Sequence, residues 1–213
     1  MGITKENIVQ ASIRILNREG IGGLSMRTIA RELGIKAASL YSHISGKAEL
    51  YNEIAEYMCK DFAMPDASLP PEEYLIAMAI SYRAMLLTVR DSAVIFGESF
   101  PVTPLWTAIS KSATGHFMLL GIGKKNFLTA TSLYNNYVLA FVADETRTKN
   151  RTPDEARLSE SVFGFGELLT LHGRHFDEQF LFGLRVLFRG LEAMAGEGRQ
   201  AGPRIGTDTN ADE

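Results

Sequence analysis

The segment from Met26 to His43 constrains the fold more than any other. Met26, Ile29, Ala30 and Leu33 recur at helical spacing and stop at Gly34. A second short helical stretch, 37–43, follows Ile35 and Lys36. Only a residue without a Cβ reaches positive φ cheaply, so Gly34 suits the C′ position of the first helix and a tight turn. Ala30 is small where the two helices must cross, and Ile29, Leu33, Ile35 and Leu40 fill the space between them. This is the spacing a helix-turn-helix needs, although a helical hairpin inside any α-protein would satisfy it too. The second helix is too short to be stable alone. It shows Lys36, Ala37, Ala38, Ser39 and Ser42 outward. A helix so decorated can enter a major groove about 12 Å wide without clashes.

Elsewhere period-2 alternation never persists and helical spacing is common, so the chain reads as all-α. Helices are expected at 4–18 (with Thr4 as N-cap), 25–33, 37–43, 47–63 (capped by Ser45), 71–90, 92–98, 103–120, 124–144, 154–171 and 176–195. Pro65, Pro70 and Pro71 mark a connector between a small N-terminal head and a larger helical body. Residues 145–153 are polar and read as a mobile loop, and 196–213 as a disordered tail. The expected division is a head at 1–47, a connecting helix at 48–64, a body at 65–195 and a tail at 196–213.

Charge is distributed unevenly. Residues 1–47 hold seven basic and three acidic side chains, or +4, while the remainder holds 15 and 22, or −7. A basic head on an acidic body would aim one end at a polyanion. No apolar run reaches the ~18–20 residues of a membrane span. The N-terminus lacks the long apolar segment of a signal peptide. The single cysteine, Cys59, cannot form an intramolecular disulfide, and a reducing cytoplasm is the simplest compartment.

Residues 8–54 resemble the DNA-binding domain of the tetracycline-repressor (TetR) family. The resemblance is carried by Gly20-Ile21-Gly22-Gly23-Leu24-Ser25-Met26-Arg27-Thr28-Ile29-Ala30, then Leu33-Gly34-Ile35, Ser39-Leu40-Tyr41-Ser42-His43-Ile44 and Lys47-Ala48-Glu49-Leu50. A looser similarity to the tetracycline-repressor subgroup extends over Tyr82 to Gly97 and over Phe180-Leu181-Phe182-Gly183-Leu184 with Gly190-Leu191-Glu192. The resemblance implies a homodimeric regulator that binds double-stranded operator DNA, with a C-terminal domain for ligand binding and dimerisation. It implies a repressor released from a palindromic operator by a small molecule. An activator or ligand-independent regulator of the same fold is the alternative.

Position by position, the resemblance assigns Arg27 to a guanine edge and Lys36, Ala37, Ala38 and Ser39 to base edges. It assigns Ser25, Thr28, Tyr41, His43 and Lys47 to phosphates or groove walls. Such backbone contacts set register rather than sequence. His43 is equally a candidate for packing at a helix end. The family's dimer bundle matches about 124–144 and 176–195, where Gly183 and Gly190 lie seven apart and would permit close helix approach.

The body is rich in aromatic residues and methionine, which suits a largely apolar effector. Candidate ligand-binding residues are Tyr82, Met85, Phe96, Phe100, Trp106, His116, Phe117, Tyr134, Asn135 and Tyr137, with Met118, Phe141, Asn136 and Asp144 nearby. Tetracycline repressors carry a metal-binding histidine just ahead of the glycine matched by Gly97, where this chain has Ile95 and Phe96. Neither can ligate Mg²⁺. Asp144 alone does not make a site, so no metal or other cofactor is expected. An enzyme is disfavoured, because no phosphate loop, Cys/His cluster or elbow serine occurs. His172 and His175 lack further obvious ligands.

Overall fold

In the computed structural model, which describes residues 3–152, 154 and 175–200, all regular structure among the described residues is helical. Helix α1 spans Lys5–Glu19. Its cap is reciprocal. The Asn7 N–H donates to Thr4 Oγ1 and the Thr4 N–H donates to Asn7 Oδ1, which satisfies two otherwise orphaned donors. Ile8, Val9, Ile15 and Leu16 form its buried face. A 3₁₀ turn at Ile21–Gly23 leads to α2, Met26–Glu32. Gly34 has φ +68°, and the Ile35 N–H closes the turn on the Ala30 carbonyl at 3.0 Å. Helix α3, Ala37–Leu40, is shorter than the expected 37–43. The chain turns there because the N–H groups of both His43 and Ile44 reach back to the Leu40 carbonyl. Leu40 and Ile44 drop fully into the head core, each stabilising it by ~1.5–3 kcal/mol.

Helix α4 spans Lys47–Cys59. Gly46, not Ser45, occupies its N-cap position. Ser45 instead donates its N–H and hydroxyl to the Glu49 carboxylate. The helix stops four residues before the expected 63, as Lys60, Asp61 and Phe62 close successive three-residue turns. In the body, α5 is Pro71–Leu86 and α6 is Ser92–Glu98. The α5 helix ends before the expected 90, where the Ser92 hydroxyl takes the Leu86 carbonyl. Helices α7 (Pro104–Leu119), α8 (Phe127–Lys149) and α9 (Phe176–Gln200) are the remaining helices among the described residues of the body. Most of the buried apolar residues form one continuous cluster running from Ile8 in the head to Phe188 in α9. Helix α4 packs on α1 on one side and on α6 and α7 on the other.

Two expectations need correction. Residues 145–149 are helical, not loop. Glu145 is only 1% exposed because Arg83 of α5 clamps its carboxylate at 2.7 and 2.9 Å, with Lys149 at 2.6 Å. Arg83 also reaches Asp177 of α9 and lies over the rings of Phe180 and Phe141. A polar-looking stretch thus holds an inward-facing ion cluster that joins three helices. Second, Gly183 faces Tyr137 of its own chain so closely that a Cβ would collide with the ring. Its close approach is internal. Gly190 by contrast has open space around it. The α9 helix also continues to Gln200, past the expected start of the tail at 196. The helix expected at 154–171, apart from residue 154, and the tail at 201–213 lie outside the described residues. No helix among the described residues is long and apolar enough to cross a membrane.

Candidate DNA-reading face and effector cavity

The reading face is built from consecutive short elements. Ser25 accepts the Thr28 N–H, and Thr28 Oγ1 accepts the Ser25 N–H and donates to the Gly23 carbonyl at 2.7 Å. Both hydroxyls therefore fix the start of α2, and that start aims Arg27 outward into solvent. At α3, Lys36, Ala38, Ser39 and Tyr41 are exposed, while Ala37 is half-buried and packs against the head core. Three of the four residues that open this helix are thus solvent-exposed. His43 is half-buried. Among the described residues, most of the head's positive charge is paired within the protein. Lys5 holds Glu49 and Glu53, and Arg14 and Arg18 hold Glu32. No carboxylate stands within 4.0 Å of Arg27, Arg31 or Lys36 among the described residues. Arg31, absent from the sequence-derived set, therefore shares the exposed positive face. It follows from the i, i+4 spacing to Arg27 on one helix.

Lys47 sits between the head and the body. Its Nζ is 2.9 Å from Glu98 at the end of α6 and 4.9 Å from the Tyr51 ring centre. The Glu98 hydrogen bond, and after it Tyr51, raises the Lys47 pKa, so the cation is firmly charged. Further along α4, Asn52 Oδ1 accepts the Phe100 N–H at 3.0 Å. The Glu56 carboxylate accepts the Leu105 and Trp106 N–H groups that open α7. A carboxylate there satisfies free first-turn donors and complements the helix dipole. Burial works to raise the Glu56 pKa, but the Leu105 N–H, the Thr103 hydroxyl, the Trp106 N–H and the Lys60 charge together outweigh it, and the carboxyl lies below its ordinary value. The head closes on α6 as well. Asp91, with φ 59°, accepts the Ile21 N–H at 2.7 Å, and Asn17 accepts the Arg90 N–H.

Beneath this joint lies a cavity of about 280 Å³. Seven of the ten expected residues line it: Tyr82, Met85, Phe96, Trp106, Phe117, Tyr134 and Asn135. Three do not. Phe100 is 71% exposed beyond the end of α6. His116 lies one position off the inward stripe of α7, stacked on Tyr74 with ring centres 3.5 Å apart and Nδ1 2.9 Å from the Ser112 carbonyl. Tyr137 points to α9, stacking on Phe180 and donating its hydroxyl to the Phe180 carbonyl at 2.9 Å. Sequence reasoning missed the small and polar lining: Ser99, Ser110, Ala113, Thr114 and Thr131. It also missed Cys59, Phe62, Met78, Pro101 and Ile109. A signal existed, since 106, 109, 110, 113, 114 and 117 form one helical stripe. Burial pushes the Cys59 thiol up to about 12, with the Glu56 charge adding to the shift.

The residues present do not fit a magnesium–tetracycline centre. Ile95 and Phe96 are buried hydrocarbon at the position of that family's histidine, and Asp144 is half-exposed and ion-paired with Arg147. Among the described residues no group of three or more His, Cys, Asp or Glu converges on one point.

Residues 8–54 match the family model described as bacterial regulatory proteins, tetR family, and residues 69–195 match the tetracyclin repressor-like C-terminal domain. The chain is 29% identical over 197 residues to tetracycline repressor protein class D of Escherichia coli, with 89% of each protein covered. It is similar to the ActR protein of Streptomyces coelicolor in complex with (S)-DNPA, at TM-score 0.70 and 25% identity, covering 92% of this chain and 100% of that one. It is also similar to BioQ, known from Mycobacterium smegmatis, in complex with its double-stranded DNA operator. There the TM-score is 0.69 and identity 27%, covering 90% of this chain and 99% of that one.

Proposed function

The chain belongs to the TetR family of bacterial regulatory proteins, and on that premise we propose that it is a homodimeric repressor released from a palindromic operator by a small, largely apolar effector. One observation carries the reading. Helix α4 begins at exposed Lys47 on the head and ends at Cys59 in the cavity wall. Its 13 residues span ~20 Å without a break. A molecule entering the cavity presses on the segment from Ser99 to Trp106, whose N–H groups rest on Asn52 and Glu56 of that helix. Tilting α4 moves the reading face. In a two-fold dimer the heads then lose the half-site spacing, one helical turn of DNA (~34–36 Å) or a multiple of it. A coupling of ~1–3 kcal/mol suffices for regulation.

Helix α9 supports the dimer. Phe182, Val186, Gly190 and Met194 recur every four residues, and the three apolar side chains are more than half exposed. Such a stripe on a long helix suits burial against its own copy. The structures of relatives bound to operator DNA and to a small ligand support both halves of the reading.

The test is to select DNA fragments with the purified protein and footprint the winners at two salt concentrations. A protected palindrome whose affinity falls steeply with salt is expected. Weak, sequence-blind binding at both concentrations would remove the proposal.

A further inference from the structure

We propose that the effector this cavity takes is an uncharged, compact, ring-based molecule with a hydrogen-bonding edge read by Tyr82, Ser99 and Asn135. The inference rests on the effector-cavity reading above and adds the chemistry of the occupant.

Charge comes first. No Lys, Arg, Asp, Glu or His lines the cavity among the described residues. Its titratable lining groups are Cys59, Tyr82 and Tyr134, and burial drives all three well above their ordinary values, so all are neutral near pH 7. A negative charge, Glu56, bears on Cys59 in the wall. Its oxygens are already occupied by the Leu105 and Trp106 N–H groups. An anion would therefore find no cation and a negative neighbour, and a cation would find no open carboxylate. Burying either uncompensated is strongly unfavourable.

Shape comes next. About 280 Å³ lies just below the ~300–1,000 Å³ range of ligand pockets. The walls are rings set at steep angles to each other. Phe96 meets Tyr82 at 70° and Trp106 at 66°, and Phe117 meets Tyr134 at 78°. Ring faces and edges offered together favour an aromatic guest, which can stack on one wall and meet another edge-on.

Polarity completes the description. The Tyr134 hydroxyl is spent on the Leu75 carbonyl, and the Thr131 hydroxyl turns back to the Phe127 and Leu128 carbonyls. Ser99 Oγ is buried with no hydrogen-bond partner among the described residues. Tyr82, half-buried in the wall, and Asn135, exposed at the rim, also make no hydrogen bond among the described residues. Two hydroxyls and a carboxamide, donated by three different elements around an apolar chamber, match a guest carrying carbonyl and hydroxyl groups. A buried polar atom without a partner is costly, so a guest that satisfies Ser99 is favoured over one that does not.

Trp106 is the single tryptophan and stands in the wall, so its emission reports occupancy. The experiment titrates the full-length protein with a matched pair, 1-hydroxy-2-acetonaphthone and 1-hydroxy-2-naphthoate, and with 1-decanol, following Trp106 emission and heat. The neutral ketone should bind at least tenfold tighter than the carboxylate and tighter than the alcohol. Ser99→Ala, Tyr82→Phe and Asn135→Ala should each weaken the ketone roughly three- to tenfold while operator footprints stay unchanged. Equal or tighter binding of the naphthoate or of decanol overturns the proposal. So does failure of the ketone to bind a protein that still footprints its operator, and that result leaves the regulator reading standing. Absence of an operator footprint strikes the regulator reading instead, while the ketone-to-carboxylate ratio still decides the proposal.

Discussion

The reading face and the cavity are assembled in opposite ways. The face is convex and comes from one continuous stretch, Ser25 to Lys47, in which two short helices turn about Gly34. The cavity is concave and gathers residues from Cys59 to Asn135, on α4, α5, α6, α7, α8 and the segment between α6 and α7. A face of the first kind depends on local spacing and on which charges stay unpaired. A cavity of the second kind depends on how distant helices pack. Changes in the packed body should therefore act mainly through folding and coupling, and changes on the exposed reading face mainly through DNA affinity.

The largest expected effect tests the body. Glu145→Ala leaves Arg83 in a mostly buried position without its main partner, and breaking a buried pair this way costs about 3–5 kcal/mol. Thermal unfolding should show a large drop, and an unchanged midpoint would show that the cluster adds nothing. The intact cluster also sets a pH dependence. Burial alone would raise the Glu145 pKa, but Arg83 and then Lys149 outweigh it and hold the group below its ordinary value. Its contribution is present above the unfolded value of ~4.3 and is lost as pH falls through the lower folded value. Unfolding followed across that window would reveal the loss.

Next in size, Arg27→Ala should cost ~1–3 kcal/mol of operator affinity and relax preference at one base position, with thermal stability unchanged. Base-by-base competition measures this. Uniform weakening at every position would reassign Arg27 to the backbone. Glu56→Gln should follow, at about 1 kcal/mol. A neutral acceptor holds the Leu105 and Trp106 N–H groups less strongly than a carboxylate. The readout is the ratio of effector affinities with and without operator, and a ratio equal to that of the parent would sever α4 from the cavity. Smaller still, Lys47→Ala should weaken binding to all DNA and reduce the salt slope by about one. Glu98→Gln, which frees Lys47 from its partner, should tighten operator binding, and a weakened complex would refute the shared role. At the bottom of the scale, Mg²⁺ should leave tetracycline binding unchanged in a calorimetric titration.

The same contrast explains what could be read from the sequence. The turn at Gly34, the Thr4-capped start of α1 and the inward Ile29 and Leu40 are local patterns, and the structure places them as expected. The cavity was legible only where a residue type announced itself. Trp106 and Phe117 stand out by size, whereas Ala113 and Thr114 differ from any helix filler only by lying on the same stripe. His116 misled because one helical position separates a cavity wall from a neighbouring face. Glu145 misled because its partner Arg83 is 62 residues away, and no local pattern reveals that a charge will be neutralised.

The joint between α4 and the cavity wall has an uneven division of labour. Helix α4 supplies side chains, Asn52 and Glu56, while the wall answers chiefly with main-chain N–H groups from residues 100, 105 and 106. Any residue other than proline carries that N–H. The wall can thus be rewritten, residue by residue, to suit a new small molecule without disturbing the contact that reports its arrival. Descendants of one such chain can diverge in what they sense while inheriting the same way of letting go of DNA.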